Sequence, residues 1–208
     1  MRVKICGITR EEDARVAADA GADAIGLVFY EPSPRHLSSL EMARNIALSV
    51  GPFVSVVGLF VNPEKQYLEQ ILKSVPLHLL QFHGEETPEF CESFERPYMK
   101  VIRMQQNIDL AIEINRYAGA SGILLDTYKK GVPGGTGESF NWERVPPNSP
   151  KPLVLAGGLS PSNVARAVTI AQPSAVDVSG GVEAAPGIKD KHKVRAFITS
   201  AKSELISD

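Results

Sequence analysis

Apolar and polar positions alternate along this chain in two rhythms. Short β-branched apolar runs fall at Val3–Cys6, Ala24–Phe29, Val54–Phe60, His78–Phe82, Met99–Ile102, Gly122–Leu125, Leu153–Ala156 and Ala175–Val178. Runs that stay apolar along their length mark strands covered on both faces, as in parallel sheets. Between them the period lengthens to that of helices, with Leu68, Ile71, Leu72 and Val75 on one face of the third. In the last, Val194, Phe197, Ile198, Ala201 and Leu205 share a face.

Helix starts carry their own signals. Thr9 with Glu12 and Ser38 with Glu41 have the spacing of capping boxes. Asn62-Pro63, Thr87-Pro88 and Ser160-Pro161 each place a capping residue before a proline suited to the first helical position. Gly21 is placed to end the first helix. Strand and helix alternate eight times, which predicts an α/β fold, a single (β/α)8 TIM barrel over residues 1–208. A doubly wound open sheet is the alternative; eight evenly spaced units favour closure. The sixth unit is irregular: only a short or degenerate helix is expected around Asn141–Arg144, after the stretch from Asp126 to Gly137.

Composition removes several classes of function. A net charge of −2 gives no basic surface for nucleic acid, and the apolar runs are far too short to span a bilayer. No signal-peptide pattern precedes Val3, so the expected location is cytoplasmic. Two cysteines make no disulfide framework and no Cys-x-x-Cys zinc site. His78 and His83 lie on opposite faces of one strand and cannot share an ion, so no metal or other cofactor is expected. Whether the chain is a monomer or a homodimer is not written in this pattern.

Chemistry concentrates where barrel strands end, because the C-terminal mouth is where barrel active sites form. Alternation points Lys4 and Cys6 inward, groups Gln81 with His83, and places Asp126 and Asp177 at the ends of the sixth and eighth strands. Cys6 closes the first strand beside Gly7, and its Lys4 neighbour is expected to favour a thiolate base. Cys91, between Phe90 and Phe94, reads as a core residue instead. Asp126 is the candidate acid. Arg35 sits in a loop stiffened by Pro32 and Pro34 and is a candidate for an anion.

Two glycine loops follow the seventh and eighth strands, Ala156-Gly157-Gly158-Leu159 and Ser179-Gly180-Gly181-Val182. These are the loops that build a phosphate site in many such barrels, since backbone N–H groups approach an anion closely there. A third cluster, Gly134-Gly135-Thr136-Gly137, lacks the dinucleotide spacing and reads as a lid.

Seven ordered segments resemble the phosphoribosylanthranilate isomerase family, barrel enzymes of tryptophan biosynthesis. They are Lys4–Thr9, Gly26–Phe29 with Ser33–Arg35, Gln81–Gly84, Leu125–Thr127, Gly134–Gly137, Leu155–Leu159 and Asp177–Glu183. The resemblance implies a cofactor-free Amadori rearrangement of phosphoribosylanthranilate, a small-molecule substrate. It implies Cys6 as general base, Asp126 as general acid, Arg35 against the anthranilate carboxylate and Asp177 against the sugar. Gln81 and His83 become further substrate contacts, and Gly157, Gly158, Ser179 and Gly180 the phosphate cradle. Gly180 stands where the family usually has a second serine. A related sugar-phosphate isomerase or a non-catalytic phosphate-binding barrel are the competing readings.

Overall fold

The eight apolar runs form eight parallel strands that close on themselves in chain order. They are β1 (Arg2–Cys6), β2 (Ala24–Val28), β3 (Ser55–Phe60), β4 (Leu79–Phe82), β5 (Tyr98–Met104), β6 (Gly122–Thr127), β7 (Leu153–Leu155) and β8 (Ala175–Val178). The computed structural model describes residues 1–127 and 139–203. β1 pairs with β8, Lys4 opposite Asp177, and this pairing seals the ring. The expected Gly134–Gly137 lid and Leu205 lie outside the described residues.

Among the described residues seven α-helices wrap the barrel: α1 (Glu11–Asp19), α2 (Leu40–Leu48), α3 (Lys65–Ser74), α4 (Pro88–Glu92), α5 (Leu110–Arg116), α6 (Val164–Ala171) and α7 (Lys191–Ser203). Among its described residues, the sixth unit has a 3₁₀ turn, Trp142–Arg144, and no α-helix, in line with the short or degenerate helix expected there. No described helix is long and apolar enough to cross a membrane.

Alternation sorts the side chains into two layers. Val3, Ile5, Ile25, Leu27, Ile123 and Leu125 point outward into the shell between strands and helices. Inside the barrel, Met99, Val101, Leu124 and Ala156, flanked by Leu79 and Val154, form a separate small core. That inner core fills the barrel and so forms the floor on which polar groups at the strand ends stand. Each large apolar side chain buried in either layer contributes on the order of 1.5–3 kcal/mol.

Helix ends follow the expected signals only in part. Thr87 caps α4 by accepting from the Phe90 N–H, with Pro88 at the first position, and Gly21 follows α1 at φ +91°. The cap on α2 is Ser39 rather than Ser38. The remaining three are corrected by tertiary demands. Thr9 donates its hydroxyl to the Gly187 carbonyl at 2.5 Å, leaving Arg10 at the start of α1 with no side-chain cap. Asn62 turns left-handed, φ 46°, and its side-chain oxygen accepts from the Glu85 N–H, so α3 begins only at Lys65. Ser160 opens a turn in which Asn163 Oδ1 accepts from the Ser160 N–H, and α6 begins at Val164.

One element has no counterpart in the apolar pattern. After β8, a short antiparallel hairpin, β9 (Glu183–Ala185) and β10 (Ile188–Lys189), folds beside the barrel mouth. Its strands have two and three residues, too few for an alternation to register.

Candidate active site

The strand ends open into a cleft of about 930 Å³ at the C-terminal mouth. Cys6, Arg35, Gln81, His83, Asp126, Asp177, Gly157, Gly158, Ser179 and Gly180 all line it. Strand alternation and loop position therefore bring these ten candidate site residues to one place. Cys91 is buried in the outer shell, as expected.

Cys6 enters from β1 and Asp126 from β6, three strands away around the ring. Lys4, beneath Cys6, favours its thiolate as expected but is shared with a second acceptor. Its ammonium donates to Asp177 Oδ1 at 2.9 Å, inside the barrel. Burial works against that cation, but the facing carboxylate outweighs it and holds Lys4 above its ordinary value. Burial also dominates at Cys6 and pushes the thiol up, while the Lys4 ammonium pulls the other way and Asp177 adds to the rise. The thiol is thus the favoured form: the expected pull of Lys4 toward the thiolate is present but outweighed by burial. A thiolate formed there by proton loss is a correspondingly stronger base.

Asp126 is held by its own strand end: the Thr127 N–H donates to Oδ1 at 2.8 Å. His83 Nε2 lies 3.3 Å from Asp126 Oδ2, within ion-pair range but outside hydrogen-bond geometry. His83 Nε2 and Gln81 Oε1 are buried with no hydrogen-bond partner among the described residues. Two orphaned polar atoms side by side on one strand of a cleft are a cost that a polar ligand would relieve. His78 is elsewhere, its Nδ1 accepting from the Val56 N–H. Among the described residues no three His, Cys, Asp or Glu side chains converge as metal ligands.

The glycine loops after β7 and β8 both line the cleft. Gly157 and Gly158 are both left-handed, φ +80° and +63°. A Cβ on Gly157 would stand 2.2 Å from Thr127 Oγ1 and 2.6 Å from Thr127 N, so this loop lies directly on the strand end that bears Asp126. A Cβ on Gly181 would come within 1.9 Å of the Leu159 carbonyl oxygen, so the two glycine loops press against each other. The loop after β7 is fixed from behind by Asn163, which donates to the Gly158 carbonyl at 2.9 Å.

Sequence reasoning missed a cluster of charge on the rim. Arg35 reaches Glu183, Nε to Oε1 and Nη2 to Oε2, both at 2.7 Å. Lys189, with no exposed side-chain surface, donates to Glu183 Oε1 at 2.7 Å. Glu183 does lie in the recognised segment Asp177–Glu183, but nothing in the chain ties it to Arg35, 148 residues away.

Polar side chains and glycine loops gathered in one cleft at the C-terminal mouth of a closed parallel barrel mark the class of TIM-barrel enzymes that act on small molecules. Comparison with known proteins narrows the class. A family model described as N-(5′-phosphoribosyl)anthranilate (PRA) isomerase matches residues 3–200. The N-(5′-phosphoribosyl)anthranilate isomerase of Pseudomonas paraeruginosa is 59% identical over 203 residues, covering 98% of this chain and 96% of the relative. The crystal structure of phosphoribosyl anthranilate isomerase from Thermotoga maritima superposes with a TM-score of 0.89 at 42% identity, covering 98% of this chain and 99% of that one. A structure of such an isomerase in complex with reduced 1-(o-carboxyphenylamino)-1-deoxyribulose 5-phosphate gives 0.86 at 40% identity, with the same coverage. The chain belongs to the phosphoribosylanthranilate isomerase family, intramolecular aldose–ketose isomerases of tryptophan biosynthesis.

Proposed function

We propose that this chain converts N-(5-phosphoribosyl)anthranilate to 1-(2-carboxyphenylamino)-1-deoxyribulose 5-phosphate, with Asp126 as general acid and Cys6 as general base. The observation that carries the reading is the placement of those two groups on separated strands facing one cleft. Asp126 gives its proton to the ring oxygen, the C1–O bond breaks, and the nitrogen lone pair forms a Schiff base. Cys6 then takes the proton from C2, and the released electron pair makes the C1–C2 double bond of an enolamine. Tautomerisation moves the enol proton to C1 and leaves a ketone at C2. The proton gained by Cys6 balances the one lost by Asp126, so composition is unchanged and the enzyme resets through solvent. Each such proton transfer contributes roughly 10²–10⁴-fold.

Arg35 is assigned to the anthranilate carboxylate and Asp177 to a sugar hydroxyl. The orphaned Gln81 Oε1 and His83 Nε2 are assigned to further polar groups of the substrate. Gly157, Gly158, Ser179 and Gly180 are assigned to the phosphate. At Gly180 the contact is by backbone N–H alone, which needs no side-chain hydroxyl. All these groups come from one chain, so a monomer and a homodimer are equally able to work. We place the protein in the cytosol, where its two unpaired thiols stay reduced.

The reading is tested by offering freshly generated phosphoribosylanthranilate to the purified protein with a chelator present. Rapid loss of substrate fluorescence with formation of the ketose is the expected result. A folded protein that binds inorganic phosphate but turns nothing over contradicts it and favours a binding role.

A further inference from the structure

We propose that Glu183 is a positioning residue that grips Arg35 by the side edge of its guanidinium and thereby presents the terminal edge to the carboxylate on the substrate's aromatic ring. The proposal rests on the assignment of Arg35 made above and extends it to a residue outside the acid–base pair.

A guanidinium has five N–H donors in a rigid plane and two edges that match a carboxylate. Glu183 takes the side edge, Nε and Nη2, at 2.7 Å each. The terminal edge, one N–H from each Nη, has no hydrogen-bond partner among the described residues and suits a second carboxylate in the same plane. The stem of Arg35 is fixed as well: it lies so close over Gly7 that a Cβ there would stand 2.4 Å from Arg35 Cδ. A loop arginine that would otherwise sample many rotamers is thus held at both its stem and its head.

The obvious objection is electrostatic, since Glu183 puts a negative charge beside a site meant for an anion. Lys189 answers it. Its buried ammonium donates to Glu183 Oε1, and Gly187 N–H adds a contact at 3.3 Å from within the hairpin turn. Two cations and one anion leave the cluster with a net positive charge. Burial alone would raise Glu183, but the hydrogen bonds from Arg35 and Lys189 prevail and hold it below its ordinary value, so it is ionised at neutral pH. The β9–β10 hairpin therefore delivers a carboxylate whose own charge is already matched.

The test compares the reduced product analogue carrying the ring carboxylate with the same compound lacking it, as competitive inhibitors of wild type, Glu183→Gln and Arg35→Ala. Wild type should favour the carboxylated compound, and Glu183→Gln should lower that preference about tenfold or more, the scale of a lost hydrogen bond to a charged group. KM should rise while kcat changes little. In the Arg35→Ala background, Glu183→Gln should change the preference no further. Glu183→Asp, which keeps the charge but cannot span both Arg35 nitrogens and Lys189, should give a smaller loss of the same sign, and it decides the question should the Gln variant not fold. Equal weakening of both compounds, or an unchanged preference, overturns the positioning role. A wild type that does not discriminate the two compounds instead overturns the assignment of Arg35 to the substrate carboxylate, so the two failures are told apart.

Discussion

Replacing Gly157 with alanine puts a single methyl between the phosphate-side loop and the strand end that bears Asp126. The backbone there has φ +80°, a conformation costing a non-glycine residue roughly 1–2 kcal/mol. The new Cβ would lie 2.2 Å from Thr127 Oγ1, 2.6 Å from Thr127 N and 2.8 Å from Asp126 Oδ1. A hydroxyl can swing away, but the backbone nitrogen cannot, so loop and strand must part at a cost of about 1–3 kcal/mol. Together the two effects destabilise the fold by roughly 2–5 kcal/mol, or about 4–20 °C in Tm for a chain of this size. Because the displaced group is the proposed acid, kcat/KM should fall about a hundredfold as well, the scale of a misplacement near 1 Å. Thermal melting and initial rates on the same preparation measure both. A variant with the parent's Tm and the parent's rate would show that the loop does not press on Asp126, and the coupling argued here between cradle and acid would be wrong.

Two further outcomes follow from the charges inside the barrel. Lys4→Met strands Asp177 in the interior without its partner, and denaturant unfolding should show a loss of about 3–5 kcal/mol; a loss under about 1 kcal/mol would mean that water reaches Asp177 and the pair is not closed. Because burial raises the Cys6 thiol, the thiolate of the free enzyme grows as pH climbs past the ordinary thiol value of about 8.5. The limb of kcat/KM due to this base should therefore still be rising above that pH and be absent in Cys6→Ser. A limb that levels off near neutrality would contradict the buried, protonated thiol. The same shift has a stability consequence of defined sign: the preference for the neutral thiol is fully present below the unfolded value and is lost as pH rises through the folded one.

The barrel and most of the cleft were legible because both depend on local periodicity. Eight apolar runs gave eight strands, and inward alternation alone brought Cys6, Gln81, Asp126 and Asp177 to one mouth. Helix caps were less legible, because Thr9 and Asn62 have short polar side chains that serve distant partners as readily as their own helix. The balance at Cys6 is less legible for a similar reason: the pull of Lys4 toward the thiolate is there, but it is not the largest effect. Sequence shows Lys4 two residues away, but not that Asp177 engages its ammonium or that burial outweighs it. The clamp on Arg35 was illegible altogether: its carboxylate arrives on a hairpin too short to show a period, from the far end of the chain.

The central claim is that Cys6 and Asp126 divide the proton transfers between them, and single-turnover rates of wild type, Cys6→Ser, Asp126→Asn and the double variant test it most directly. Each single variant should bind the reduced product analogue within a few fold of wild type and lose about a hundredfold or more in rate. The double variant should be far less impaired than the product of the two losses, as for groups that act as a unit. Near-normal turnover in either folded single variant would contradict the assignment.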